Sequence, residues 1–176
     1  MRILGIDPGF ERLGIAVLEK VPSAKGYGVP KEQVIFSECF KTSSKLDFAE
    51  RLQLLGEEVK RVIKKYKPEV LAIETLFLNT NQKTAMRVAE VRGVVIYESI
   101  KAGMKILEVS PPQIKMATTG YGRADKKQIQ RMVYMLVNID KSKTPPRTGQ
   151  ASDDELDAIA IALTGFAHLS PKSFVL

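Results

Sequence analysis

FAERLQLLGEEVKRVIKKYKPEVLAIE, residues 48–74, changes its hydrophobic period partway along, and that change decides the fold class. Phe48, Leu52, Leu55, Val59, Val62, Ile63 and Tyr66 recur every three or four residues, the spacing of an amphipathic helix. Lys67-Pro68 ends it, because the residue before a proline is pushed out of the helical region. Residues 70–74 are then a continuous apolar run closing on a carboxylate, Glu74, as in a buried central strand. A helix that leads straight into a buried strand is a crossover unit, so the chain is α/β.

Working outward, the N-terminal side reads as strands. Residues 2–7 are apolar and β-branched until Asp7-Pro8-Gly9 breaks the run. Residues 13–18 resume the strand pattern, and the short connection implies an antiparallel hairpin. Residues 34–40 give a third strand after a loop rich in Gly and Pro. On the C-terminal side, a helix is predicted over residues 81–102 with Gly103 just past its end. Residues 105–109 form a strand stopped by Ser110-Pro111-Pro112, and helices follow at about 112–118 and 125–138. The loop 141–149 leads into a last helix over 152–168. With no internal repeat or low-complexity segment, one domain over residues 1–176 is expected. The predicted architecture is a five-stranded mixed sheet with helices on both faces, an element order that resembles the ribonuclease H-like fold.

Bulk properties narrow the function. Hydrophobic residues make up 44% and charged residues 27% of the 176, an ordinary globular balance, and no apolar run approaches a membrane helix. Asp7 comes too early for a signal peptide, and the lone Cys39 excludes an intramolecular disulfide framework or a cysteine-rich zinc site. Cys39 reads as a small apolar strand residue, and a cytoplasmic protein is expected. Lys and Arg number 27 against 20 Asp and Glu, a net charge of +7 that favours a polyanionic partner. The basic residues recur at 60–67, 123–131 and 141–147, so a DNA-binding surface would be assembled by folding.

Asp7 and Glu74 each end a predicted strand, and in an open α/β sheet sites gather beyond strand ends where the topology changes. Two acids side by side repel, and both stay ionised only with a cation between them. Either alone also has a plain structural reading, as a turn residue or a solvated strand end. Ser152-Asp153-Asp154-Glu155-Leu156-Asp157 opens the last helix, where the helix dipole explains acids in the first turn. It explains Asp157 less well, since that residue lies deeper, beside Ala158-Ile159-Ala160-Ile161-Ala162. Asp154 and Asp157 are three apart and share a helix face. Carboxylates without His or Cys partners select Mg²⁺ or Mn²⁺ over zinc. A pair of such metals about 3.5–4 Å apart suits in-line phosphodiester hydrolysis.

ILGIDPGFERLG, AIETLF followed by VAEVRGV, and DDELDAIAIA together resemble the RuvC family of bacterial Holliday-junction resolvases, in order from about residue 2 to residue 168. The resemblance implies a Mg²⁺-dependent homodimer, with Mn²⁺ as a substitute, that binds a four-way junction and nicks two strands of like polarity. It also implies partnership with the RuvA–RuvB branch-migration machinery. It assigns the metal site to Asp7, Glu74, Asp154 and Asp157. The extra acids Asp153 and Glu155 stand where the family often has small residues, so Asp153 remains an alternative to Asp154 as inner ligand. The resemblance puts Phe77 among the bases near the crossover, against the plain reading of a core phenylalanine between leucines. Asn79 and Asn81 belong to a polar cluster that touches bases or caps the helix, and Arg123 sits in a basic Gly-Tyr-Gly turn. Lys115 and Lys126 match positions near the scissile phosphate, where a cation offsets developing charge; a solvated helix face is their ordinary reading.

His168 is explained as a favourable charge at a helix C-terminus, and Met86, Met104, Met116, Met132 and Met135 as core filler. Residues 81–102 spread apolar surface, from Ala85 and Val88 to Val95 and Tyr97, around more than one face, which marks that helix as the dimer interface. Three rivals stand beside this reading. One is another nuclease of the same fold, of ribonuclease H or transposase type. An actin-like phosphotransferase would need a second lobe that 176 residues do not supply. A non-enzymatic junction binder would have no use for strand-tip acids.

Overall fold

A computed structural model describes residues 1–21, 32–76, 82–139 and 151–169, and among these it has six strands and five helices. Strands β1 (Arg2–Asp7), β2 (Arg12–Lys20) and β3 (Glu32–Lys41) form an antiparallel meander. Helix α1 (Phe48–Tyr66) returns the chain to β4 (Val70–Glu74), and α2 (Gln82–Lys101) to β5 (Lys105–Val109). Then come α3 (Pro111–Thr119), α4 (Lys126–Leu136), β6 (Val137–Ile139) and α5 (Asp153–Leu169). The sheet order is β5-β4-β1-β2-β3-β6, with β4 parallel to both β1 and β5.

The period change in residues 48–74 has local causes. Asp47 accepts the amide of Glu50 at 2.8 Å while Glu50 accepts that of Asp47 at 3.0 Å, a reciprocal cap that starts α1. Lys67 takes a left-handed φ of 49° before Pro68, and α1 stops there. The run that follows is buried from Val70 to Ile73.

Strand alternation assigns the two faces. Leu4, Ile6, Leu71 and Ile73 pack with Leu55, Val59 and Val62 of α1 and Val91 and Val95 of α2. Ile3, Val70 and Ala72 pack with Ile159, Ala162 and Phe166 of α5 on the other face. With a period of two, Asp7 and Glu74 fall on the α5 face. The β1–β4 register ends at Ile6↔Ile73, so Asp7 and Glu74 come one step beyond it, side by side. Helix α5 lies directly on the strands because Gly5 and Gly14 leave room for it. A Cβ at Gly5 would collide with the carbonyl oxygen of Ala158, and one at Gly14 with that of Asp154. The two glycines therefore fix the height at which the acidic first turn of α5 sits over the strand tips.

Two sequence expectations need correction. The sheet has a sixth strand: Val137–Ile139 pairs parallel with β3 through Glu32↔Val137, Gln33↔Asn138 and Val34↔Ile139, and α4 ends at Leu136 rather than 138. Three residues are too few to show alternation, and Val137 continues the helical spacing from Val133. Only pairing with β3 makes the segment a strand. The methionines are not uniformly core: Met104 is buried, but Met86, Met116 and Met135 are exposed.

Candidate active site

Asp7, Glu74 and Asp157 line one cleft of about 270 Å³ with Lys115, Lys126, Pro111, Ile114 and Ile129. Each acid arrives by a different route: Asp7 from the tip of β1, Glu74 from the tip of β4, and Asp157 from the second turn of α5. The lysines come from α3 and from the first residue of α4, which Asp125 caps by accepting the amide of Gln128 at 2.8 Å. Pro111 at the start of α3 and the αL residue Gly120 at its end fix the helix that carries Lys115.

The electrostatics are those of crowded anions. Burial pushes the Asp7 carboxyl up to about 7, reinforced by Asp157, Glu74 and Asp154 and opposed by Lys126. Glu74 is raised by burial and by Asp157, and held back by Arg92. Asp157 is raised by burial, though Lys126 donates to its Oδ2 at 3.0 Å and pulls it down. Oxygen donors that repel one another and lack a His or Cys neighbour in the cleft fit a hard divalent cation. Among the described residues, no three such side chains already converge as a formed metal cage.

The last acidic motif splits three ways. Asp153 is exposed, accepts from Gln130 Nε2 at 2.9 Å and pairs with Lys126 at 3.4 Å. Asp154 turns to the other side: its Oδ2 pairs with the Arg12 guanidinium and accepts from the Cys39 thiol at 3.4 Å. Asp154 does not line the cleft, although its charge raises both Asp7 and Asp157. Glu155 is buried, with Ser152 Oγ donating to it at 2.9 Å and Ser37 Oγ at 3.4 Å. Arg123 is exposed in the turn between α3 and α4, outside the cleft lining. Phe77, Asn79 and Asn81 lie outside the described residues. His168 Nδ1 lies 2.9 Å from the carbonyl oxygen of Thr164, and its Nε2 is 3.2 Å from Gln113, so it ties α5 to α3.

Sequence reading alone missed three neighbours. Arg12 and Cys39 sit opposite the first turn of α5, and the thiol faces a carboxylate rather than a purely apolar surround. Arg92 of α2 is buried; it donates to the Glu74 carbonyl and, at 2.7 Å, to Glu108. Its signal was present: a lone arginine beside Val91 and Val95 on the buried face of α2.

Comparison with known proteins identifies the family. A family model described as crossover junction endodeoxyribonuclease RuvC matches residues 3–165. A crossover junction endodeoxyribonuclease RuvC of Caldanaerobacter subterraneus is 41% identical over 93% of this chain and 90% of its own. The Thermus thermophilus RuvC structure superposes with a TM-score of 0.77 at 28% identity, over 96% of both chains. T. thermophilus RuvC in complex with Holliday junction substrate gives 0.76 at 29% identity, over 93% of this chain and 92% of that one. Matched by the family model and by these relatives over nearly its whole length, the chain, with its ribonuclease H-like sheet, belongs to the RuvC family of crossover junction endodeoxyribonucleases.

Proposed function

We infer that this chain is a structure-selective endonuclease that resolves Holliday junctions by metal-dependent phosphodiester hydrolysis, acting in recombination and repair. The observation that carries the reading is the cleft where Asp7, Glu74 and Asp157 meet Lys115 and Lys126, in a chain of this family. Asp7, Glu74 and Asp157, joined by Asp154, would hold Mg²⁺, with Mn²⁺ able to replace it. A cation held there would supply positive charge for activating water and for offsetting charge on the leaving oxygen. Lys115 and Lys126 face the same cleft and offset negative charge on the reacting phosphate. Arg123, exposed beside them, would contact the DNA backbone. Phe77, Asn79 and Asn81 follow Glu74 in sequence and are proposed to meet bases at the crossover.

One cleft per chain makes one nick, and a junction with two-fold symmetry needs two, so a C₂ homodimer is proposed. Supporting it, α2 leaves Met86, Ala89, Gly93, Tyr97 and Ile100 exposed along one stripe while Val91 and Val95 are buried behind. Partnership with the RuvA–RuvB machinery and a cytoplasmic location belong to the same proposal; no helix among the described residues is long and apolar enough to cross a membrane.

A cutting assay on a four-way junction, a linear duplex and an RNA–DNA hybrid, each with Mg²⁺ or EDTA, tests the reading. Paired symmetric nicks are expected on the junction alone and with Mg²⁺ alone. Preferential cutting of the hybrid would make the chain a ribonuclease H instead, and junction binding without cutting would remove the enzymatic role.

A further inference from the structure

We propose that Arg12 is a counter-ion latch: it holds the Asp154 carboxylate outside the metal cleft until a DNA phosphate takes over the guanidinium. This rests on the reading of Asp154 as a metal ligand.

Four observations support the latch. The Asp154 Oδ2 is engaged twice, by the Arg12 guanidinium and by the Cys39 thiol at 3.4 Å. Asp154 is absent from the cleft lining where Asp7, Glu74 and Asp157 meet. Its carbonyl oxygen rests against Gly14, where even a Cβ would collide, so the first turn of α5 already lies down on β2. Rotating the side chain toward the cleft takes its Oδ2 away from Arg12 and Cys39. Finally, the Arg12 side chain is 50% exposed at the start of β2, against 24% for Asp154, so the guanidinium can be reached from solvent by a second anion.

The chemistry favours exchange. A guanidinium accepts phosphate oxygens with the same planar fork it offers a carboxylate. Without DNA, Arg12 competes with a divalent cation for Asp154 and also repels it. With DNA, the phosphate neutralises Arg12 and frees the carboxylate. Metal and junction then strengthen each other's binding, and linkage requires the coupling to be reciprocal. The thiol of Cys39 is neutral, its pKa raised chiefly by burial, so it adds a weak hydrogen bond and no competing charge.

The experiment is a calorimetric Mg²⁺ titration of the DNA-free chain as wild type, Arg12→Gln and Asp154→Asn. Arg12→Gln is expected to tighten Mg²⁺ binding by about 3–10-fold, the scale of a half-exposed pair plus one removed repulsion. Asp154→Asn is expected to weaken it. A second measurement is the salt dependence of four-way junction affinity, in Ca²⁺ and in EDTA. Arg12→Gln should lower the log–log slope by about one in Ca²⁺, where the wild-type guanidinium sits on phosphate. In EDTA, where Asp154 has no cation to turn to and still competes with phosphate for the guanidinium, the change in slope should be smaller. If Arg12→Gln leaves Mg²⁺ affinity unchanged or weaker while Asp154→Asn weakens it, the latch is refuted and Asp154 remains a ligand. If Asp154→Asn leaves Mg²⁺ affinity untouched in the Arg12→Gln background as well, the ligand assignment fails and the latch with it.

Discussion

Replacing Asp7 by Asn should make the metal-free protein more stable while abolishing its cutting. The Asp7 carboxyl is raised from 3.8 to about 7 by burial and by Asp157, Glu74 and Asp154. A raised folded-state pKa means that the folded chain binds this proton more tightly than the unfolded chain. The associated stability is complete below the unfolded value and is lost as pH rises through about 7. At about 1.36 kcal/mol per unit, the shift corresponds to roughly 4 kcal/mol lost by wild type above pH 8 without metal. Asparagine cannot ionise and escapes that loss. The repulsion by Glu74 and Asp157 that it relieves is already contained in that shift.

The assay is thermal or urea unfolding of both proteins in EDTA between about pH 4 and 8.5. Their stabilities should be similar at the acid end and diverge upward in pH, Asp7→Asn gaining up to roughly 10 °C in Tm for a chain of this size. Adding Mg²⁺ should stabilise wild type strongly and the variant little, because bound cation stabilises only a site that can hold it. Junction binding should survive in the variant, since phosphate contacts elsewhere are untouched. A stability difference that stays flat across this pH range would refute the reasoning, because it would mean that Asp7 is ionised in the folded chain at no cost.

Charge reversal of Lys115 or Lys126 should lower the cleavage rate by a larger factor than junction affinity, since each lysine lines the cleft proposed to hold the reacting phosphate; equal losses in rate and gel-shift affinity would move them to the general binding surface. Arg92→Met should cost about 2 kcal/mol in denaturant unfolding, because the Glu74 carbonyl loses its buried donor, and should slow cutting as Glu74 loosens; unchanged stability would show that the contact does not hold the strand tip. Tyr97→Asp with Ile100→Asp should weaken dimerisation at least about tenfold in sedimentation while leaving Mg²⁺ binding intact, because these exposed side chains are not part of the cleft lining. An unaltered dimer would place the interface elsewhere.

Much of this molecule was legible in the sequence wherever one segment carried its own signal. The helix over 48–66 and the strand over 70–74 followed from periodicity, a cap and a proline, and α2 and β5 from period and punctuation. Asp7 and Glu74 could be paired because strand ends in a parallel crossover fall side by side, and the register bears this out. Lys115 and Lys126 were named from motif resemblance, and both line the cleft. Strand β6 was illegible for the opposite reason: three residues with no period of their own become a strand only through β3.

Asp154 shows the same division within one helical turn. Spacing put it on one face with Asp157, and that is correct as far as the backbone goes. Where the carboxylate points is decided by partners that spacing does not reveal: Arg12 at the start of β2 and Cys39 in β3, 142 and 115 residues away. Those partners reach it because β2 and β3 run antiparallel, pairing Arg12 with Lys41 and Gly14 with Cys39, and because Gly14 lets the α5 backbone settle onto β2. A glycine therefore brings Asp154 within range of both the cleft acids and an arginine. A carboxylate paired with an arginine and repelled by the cleft acids turns toward them only when the charges around it change, and an arriving phosphate together with a bound cation is the agent best suited to do so.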